Sequence, residues 1–288
     1  MQGVIAAVPT PIDADRAPIK ELFLEHCQWA LTNGCDGLNI LGSTGEANSF
    51  DLTSRHTVMF WAAEGLPKDR LMVGTATPSL QETISLTEYA DDLGYGIALV
   101  LPPYYYSPVS DEGLISWYSA LHDALGRRPI QIYFYNYPQM TGIGIPVTVI
   151  SELVRYAPER FMGIKDSSGD LNYCRAIVTA NSALRVFPSS ETALESAKAD
   201  GFAGCISASV NLTATLAGQI WAQRETPPAD LCAEVARRRG VIAGPTLIAN
   251  VKSLVAGRAK DTRWRAVLPP FLPLHKTVEN DLKTALEG

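Results

Sequence analysis

Short, continuously apolar runs recur along this chain, each followed by a longer amphipathic stretch, and that alternation constrains the fold more than any other feature. The runs are Val4–Val8, Gly37–Leu41, Leu71–Gly74, Ile97–Leu101, Ile130–Tyr135, Phe161–Lys165, Arg185–Phe187 and Gly204–Ser207. Unbroken hydrophobicity and β-branched content describe parallel strands buried on both faces. The stretches between them carry helix signals. Asp51 precedes Leu52, Ser79 stands three residues before Glu82 as in a capping box, and Asn211 precedes Leu212. Gly34, Gly94 and Gly201 stand where helices would stop. Eight strand–helix units with no break in composition predict an α/β fold, a (β/α)8 TIM barrel over residues 1–224. A doubly wound sheet would normally show G-x-G-x-x-G after its first strand, and Pro9-Thr10-Pro11 stands there instead. Beyond Pro227-Pro228 the alternation ends. Helical stretches near 229–240, 245–256 and 274–286 predict a C-terminal three-helix extension over residues 225–288.

Composition narrows the function. Of the 288 residues, 47% are hydrophobic and 19% charged, enough for a sizeable core. A net charge of −6 offers no general attraction for nucleic acid or an anionic membrane. The one dense basic cluster, Arg237-Arg238-Arg239, reads as a solvated helix face or a subunit contact. Cys27, Cys35, Cys174, Cys205 and Cys232 form no C-x-x-C pair, so neither a zinc ribbon nor a disulfide framework is expected. Met1-Gln2-Gly3 lacks the basic start of a signal peptide, and no apolar stretch approaches the ~20 residues of a membrane helix. A cytoplasmic location is the expectation.

The sixth apolar run ends in Lys165, at the strand end that in such a barrel faces the active site. An amine held there loses part of the hydration that favours its ammonium form. A neutral lysine adds to carbonyl carbon and makes Schiff bases. A lysine that merely ends a strand and reaches back to water is the alternative. The neighbouring strand ends weigh against it. After the second strand comes Gly42-Ser43-Thr44-Gly45-Glu46, a turn able to present N–H groups to an anion. Pro103-Tyr104-Tyr105-Tyr106 follows the fourth strand, and the fifth runs into Tyr135-Asn136-Tyr137-Pro138. An anion-binding turn, a phenol and an amine at one barrel mouth suit addition of the amine to a 2-keto acid. Other polar residues read structurally. Glu46 would hold its loop through backbone N–H groups, Asp166 would start a helix, and Tyr104 and Tyr106 would pack or line the rim. Glu191 could touch a distal substrate group or simply sit at a helix start. No metal-ligand spacing is present, and His26, His56, His122 and His275 are given no catalytic role.

These motifs, together with Val8-Pro9-Thr10-Pro11, Thr141-Gly142, Gly163-Ile164-Lys165-Asp166 and Gly204-Cys205-Ile206-Ser207, resemble in order and spacing the dihydrodipicolinate synthase/N-acetylneuraminate lyase family of Schiff-base-forming barrels. The resemblance spans essentially the whole chain. It implies that Lys165 forms the imine and that the Tyr135 hydroxyl relays protons beside it. Ser43, where the family usually has threonine, would hydrogen-bond that tyrosine. Thr44 and Gly45 become substrate-binding positions for the keto-acid carboxylate, and Ile206 would line the pocket with its carbonyl. Tyr105 matches a tyrosine that family members contribute across a tight dimer interface. The resemblance also implies no cofactor or metal, a small-molecule substrate with a pyruvate moiety, and a homotetramer built as a dimer of dimers.

One position discriminates among reactions. Dihydrodipicolinate synthases usually carry an arginine two residues after the proline of Tyr-Asn-x-Pro, where this chain has Met140. That arginine helps bind the aldehyde substrate's carboxylate, and a charge-assisted hydrogen bond is worth about 1.5–3 kcal/mol. N-acetylneuraminate lyases prefer Ile or Val where Tyr137 stands. The expectation is therefore a lyase, an aldolase or dehydratase of a 2-keto-3-deoxy sugar acid. Dihydrodipicolinate synthesis or an N-acetylneuraminate lyase-like cleavage stays open as the enzymatic alternative, and a keto-acid-binding sensor as the non-enzymatic one.

Overall fold

In the computed structural model, which describes residues 1–287, every apolar run forms a parallel strand: β1 (Gly3–Ala7), β2 (Gly37–Ile40), β3 (Leu71–Gly74), β4 (Ile97–Val100), β5 (Gln131–Asn136), β6 (Phe161–Asp166), β7 (Arg185–Pro188) and β8 (Gly204–Ser207). Hydrogen-bonded neighbours follow the order β7-β6-β5-β4-β3-β2-β1-β8. The Ala203 N–H donates to the Val186 carbonyl at 2.9 Å, drawing the two ends together into a nearly closed barrel. Around it lie α1 (Lys20–Thr32), α2 (Leu52–Gly65), α3 (Leu80–Asp92), α4 (Asp111–Leu125), the single turn α5 (Pro138–Thr141), α6 (Val147–Tyr156), α7 (Leu171–Ala180), the short α8 (Ala197–Asp200) and α9 (Val210–Ala222). Side chains of β1 through β8 are buried almost without exception, which is why they read as apolar runs.

The helix signals hold with two changes. Asp51 Oδ1 accepts from the Ser54 N–H at 2.7 Å, and Ser79 Oγ accepts from the Glu82 N–H at 3.3 Å. The reciprocal half of that capping box is made by Thr77, whose hydroxyl accepts from the Ser79 N–H at 3.1 Å. Asn211 is not a cap. Helix α9 begins at Val210, and the buried Asn211 amide donates to the carbonyls of Ala7 and Ala208 at 2.8 and 2.7 Å. Packing of α9 against β1 thus claims a side chain whose local preference is for a helix start.

The C-terminal extension comprises α10 (Ala229–Ile242), α11 (Leu247–Ala259) and α12 (Lys276–Glu287). Helix α11 is buried from Ile248 to Ala256, so it packs as a core element. Two polar links fasten it to the barrel. Lys252 Nζ meets Glu46 Oε1 at 2.5 Å with both side chains fully buried, and Glu46 Oε2 accepts from the Leu268 N–H at 2.5 Å. The second link runs from Arg258, stacked over the Trp29 ring, to His26 Nδ1 at 2.6 Å, and from His26 Nε2 to Asn211 Oδ1 at 2.7 Å.

Candidate active site

Strand register creates the central pair. Tyr135 on β5 lies directly opposite Lys165 on β6, so both side chains leave the sheet on one face. Two residues earlier the same face carries Tyr133 opposite Gly163, where any added Cβ would sit 2.5 Å from the Tyr133 ring. Glycine there leaves room for the Tyr133 ring, which stacks on Phe187 with centroids 6.1 Å apart. Lys165 is 4% exposed; its Nζ donates to the Tyr135 hydroxyl at 3.1 Å and lies 4.2 Å from that ring's centroid. The Tyr135 hydroxyl lies 3.2 Å from Ser43 Oγ, completing an amine–phenol–hydroxyl chain from two strands to the turn after β2.

The Ser43 turn is strained at both ends. Leu41 and Glu46 have φ of 52° and 58°, a region unfavourable for side chains that is kept where surrounding contacts enforce it. For Glu46 those contacts are Lys252 and the Leu268 N–H, so this carboxylate does hold its loop, but against the C-terminal extension. Between the ends, the N–H groups of Gly45 and Glu46 turn back to the carbonyls of Gly42 and Ser43. Among the described residues those of Ser43 and Thr44 donate to no protein group, which leaves two N–H donors free at the turn.

Ser43, Thr44, Tyr135, Lys165 and Ile206 line one cavity of about 280 Å³, together with Tyr137, Met140, Ser167, Ser189, Ala208, Arg239 and residues of the extension from Gly244 to Phe271. A second hollow, lined by Tyr104, Leu101 and Thr141, shares Ser43, Met140, Ile248 and Phe271 with it. Tyr137 stacks on Tyr135 with centroids 5.8 Å apart; burial, then Tyr135, raise its hydroxyl pKa, while Arg239 opposes the rise.

Two expected site residues lie elsewhere. Gly45 does not reach the cavity wall, because its N–H closes the turn and its carbonyl accepts from Thr10 Oγ1 at 3.0 Å. Tyr105 is 75% exposed and packs edge-on against Tyr106, outside this chain's cavity. Asp166 is the last residue of β6 rather than a helix start. It accepts from the Asn136 amide at 2.7 Å and the Ser168 hydroxyl at 2.8 Å, and burial raises its carboxyl pKa. Asn136 also accepts from the Ile145 N–H, so the Asn of Tyr-Asn-x-Pro stitches two strand ends and a loop beneath the site.

Arg239 is the residue that sequence reading misplaces. Consecutive helical positions point 100° apart, so three arginines in a row cannot share one face. Arg237 and Arg238 pair with Glu234 at 2.8 and 2.6 Å, while Arg239 turns to the barrel and lines the cavity. Its Nη1 donates to Ser209 Oγ, Ser207 Oγ and Glu191 Oε2 at 2.7, 3.0 and 3.2 Å. Glu191, fully buried behind that wall, also accepts from Ser207, Ser209 and Thr213, which gives it an anchoring role.

Fold and site together define a class: a (β/α)8 barrel with a buried lysine amine and a phenol at the strand ends. The sequence matches the Dihydrodipicolinate synthetase family over residues 1–288. The chain belongs to that family and is one of its lyases. A relative from Chloroflexus aurantiacus, named an uncharacterized DapA-like lyase, is 30% identical over 293 residues, covering 99% of this chain and 96% of its own. The dihydrodipicolinate synthase structure from Agrobacterium tumefaciens superposes with a TM-score of 0.88 at 24% identity, covering 100% of this chain and 99% of that one. A 2-keto-3-deoxygluconate aldolase variant from Sulfolobus solfataricus gives 0.88 at 20% identity, covering 99% and 95%. At those identities the two structures speak for the shared fold.

Proposed function

We propose that this lyase acts on a 2-keto acid through an imine on Lys165, cleaving or dehydrating a 2-keto-3-deoxy sugar acid. The observation that carries the reading is the hydrogen-bonded chain from Lys165 through Tyr135 to Ser43 beside two free N–H groups. The keto-acid carboxylate binds the Ser43 and Thr44 N–H groups with the Thr44 hydroxyl. That presents C2 to the lysine. The neutral amine adds to C2, and the C2 hydroxyl so formed takes the Tyr135 proton and leaves as water. The protonated imine draws electrons from C3 while Tyr135 is left able to accept a proton. In aldol cleavage the C4 hydroxyl gives its proton to Tyr135, the C3–C4 electron pair becomes an enamine, and C4 departs as an aldehyde. Protonation at C3 and hydrolysis then release pyruvate. The lysine does the covalent work, with no cofactor or metal in the cycle. Met140, 61% exposed on the cavity wall, supports a sugar acid over aspartate semialdehyde, since position 140 itself carries no guanidinium where dihydrodipicolinate synthases usually have one.

Tyr105 reaches the site of a neighbouring subunit in this reading, within a homotetramer of tight dimers, and the enzyme works in the cytoplasm. Borohydride reduction with pyruvate tests the mechanism. A reduced adduct on Lys165 is expected in the wild type and none in Lys165→Ala, which should also lose turnover. Persistent activity of Lys165→Ala would sink the imine. Faster consumption of pyruvate with aspartate semialdehyde than of any 2-keto-3-deoxy acid would overturn the substrate class.

A further inference from the structure

We infer that Arg239 is a specificity residue that receives a second, distal carboxylate, so that the preferred substrate is a 2-keto-3-deoxy acid carrying a carboxylate at both ends. This deepens the reading above and rests on it. Among the described residues, Arg239 is apart from Lys165 the one charged side chain on the cavity wall, and no acidic side chain lines that wall. Its Nη1 is already committed to Ser207, Ser209 and Glu191. Among the described residues Nε and Nη2 donate to no protein group, yet neither is sealed from solvent. That free Nε–Nη2 edge is a pair of parallel donors, the geometry that matches a carboxylate. The guanidinium is also fixed in advance, because three acceptors on Nη1 remove the rotamer freedom a free arginine would lose on binding.

The charge balance selects among distal groups. Glu191 offsets the Arg239 cation from behind the wall, so the site carries little surplus positive charge. A singly charged carboxylate suits such a site better than a doubly charged phosphate. A hydroxymethyl end would use only its acceptor capacity and would leave its own proton facing donors. The two anion sites then face each other in kind: backbone N–H groups at Ser43 and Thr44 for the carboxylate beside C2, and the guanidinium edge for the other. Arg239 comes from α10, so the extension supplies this second site.

The test uses the wild type, Arg239→Lys and Arg239→Met with three 2-keto-3-deoxy acids of equal chain length, ending in a carboxylate, a hydroxymethyl group or a phosphate ester. Keto-acid consumption is followed alongside borohydride trapping with pyruvate alone. The wild type should prefer the dicarboxylate. Arg239→Met should lower kcat/KM for it by roughly tenfold to a hundredfold, the worth of one charge-assisted contact, mainly through KM. The loss for the hydroxymethyl acid should be several-fold smaller, pyruvate trapping should persist, and Arg239→Lys should recover only part of the preference. Should Arg239→Met leave Glu191 unpaired and misfold, the Glu191→Gln/Arg239→Met double variant carries the same comparison with no buried charge left over. A wild-type preference for the hydroxymethyl or phosphate acid, or an equal loss on all three acids, would overturn the assignment. Failure of pyruvate to trap on wild-type Lys165 would instead overturn the reading on which it rests.

Discussion

At the scale of single residues, Tyr135 and Ser43 separate chemistry from positioning. Tyr135→Phe keeps the ring against Lys165 but removes the proton carrier, so kcat should fall by roughly 10²–10⁴-fold with a much smaller change in KM. Ser43→Ala removes one hydrogen bond to that phenol, worth about 0.5–1.5 kcal/mol, and should cost roughly two- to tenfold in kcat. Ser43→Thr should restore the rate, since the hydroxyl is what the phenol meets. Steady-state kinetics on all three variants decides, and a silent Ser43→Ala would remove Ser43 from the relay. Lys165, Tyr135 and Ser43 were legible in the sequence for one reason: each stands at or just past the end of an apolar strand, and strand ends in a barrel converge. Arg239 was not legible, because its direction is set by how α10 docks across the barrel mouth. Tyr105 reads as a site residue only in combination with a second copy of the chain.

At the scale of elements, the Ser43 turn and helix α11 form one unit. Lys252 is buried, and desolvation lowers its pKa against the opposing pull of Glu46. Lys252→Met should therefore leave a carboxylate buried without its cation, a change that costs roughly 3–5 kcal/mol in comparable buried pairs. Urea denaturation reads that cost, and a loss below about 1 kcal/mol would mean that Leu268 alone satisfies Glu46. The same variant should weaken keto-acid binding, because the turn that offers its N–H groups is held in an unfavourable backbone region by this contact. Strands were legible at this scale since burial on both faces leaves no choice of residue type. Helix starts were partly so. Asp51 and Ser79 cap helices through neighbours a few residues away, whereas Asn211 is claimed by Ala7, over two hundred positions distant. Local rules cannot see such a partner.

At the scale of the molecule, the extension is a working part of the barrel, and its buried polar links carry a pH signature. Desolvation, followed by the nearby Arg258, lowers the pKa of His26 to about 3 from 6.5, against the opposing hydrogen bond to Asn211. Between those values the unfolded chain binds a proton that the folded one refuses, so stability falls as pH drops from about 6.5 towards 3, by up to about 1.4 kcal/mol per pH unit. Denaturation curves across that range should show the decline, and His26→Gln should remove this part of the slope. An unchanged slope would mean that other groups carry it. The C-terminal helices were legible from the end of the alternation after Pro227-Pro228; that they furnish a cavity wall was not, since docking joins residues that sequence keeps far apart. The Glu191–Arg239 pairing has a consequence for altering this enzyme. One guanidinium both chooses the ligand and neutralises a buried carboxylate, so selectivity and foldability are inherited together at that position. A route to a different substrate has an order: Glu191 must be made neutral before Arg239 can be exchanged freely.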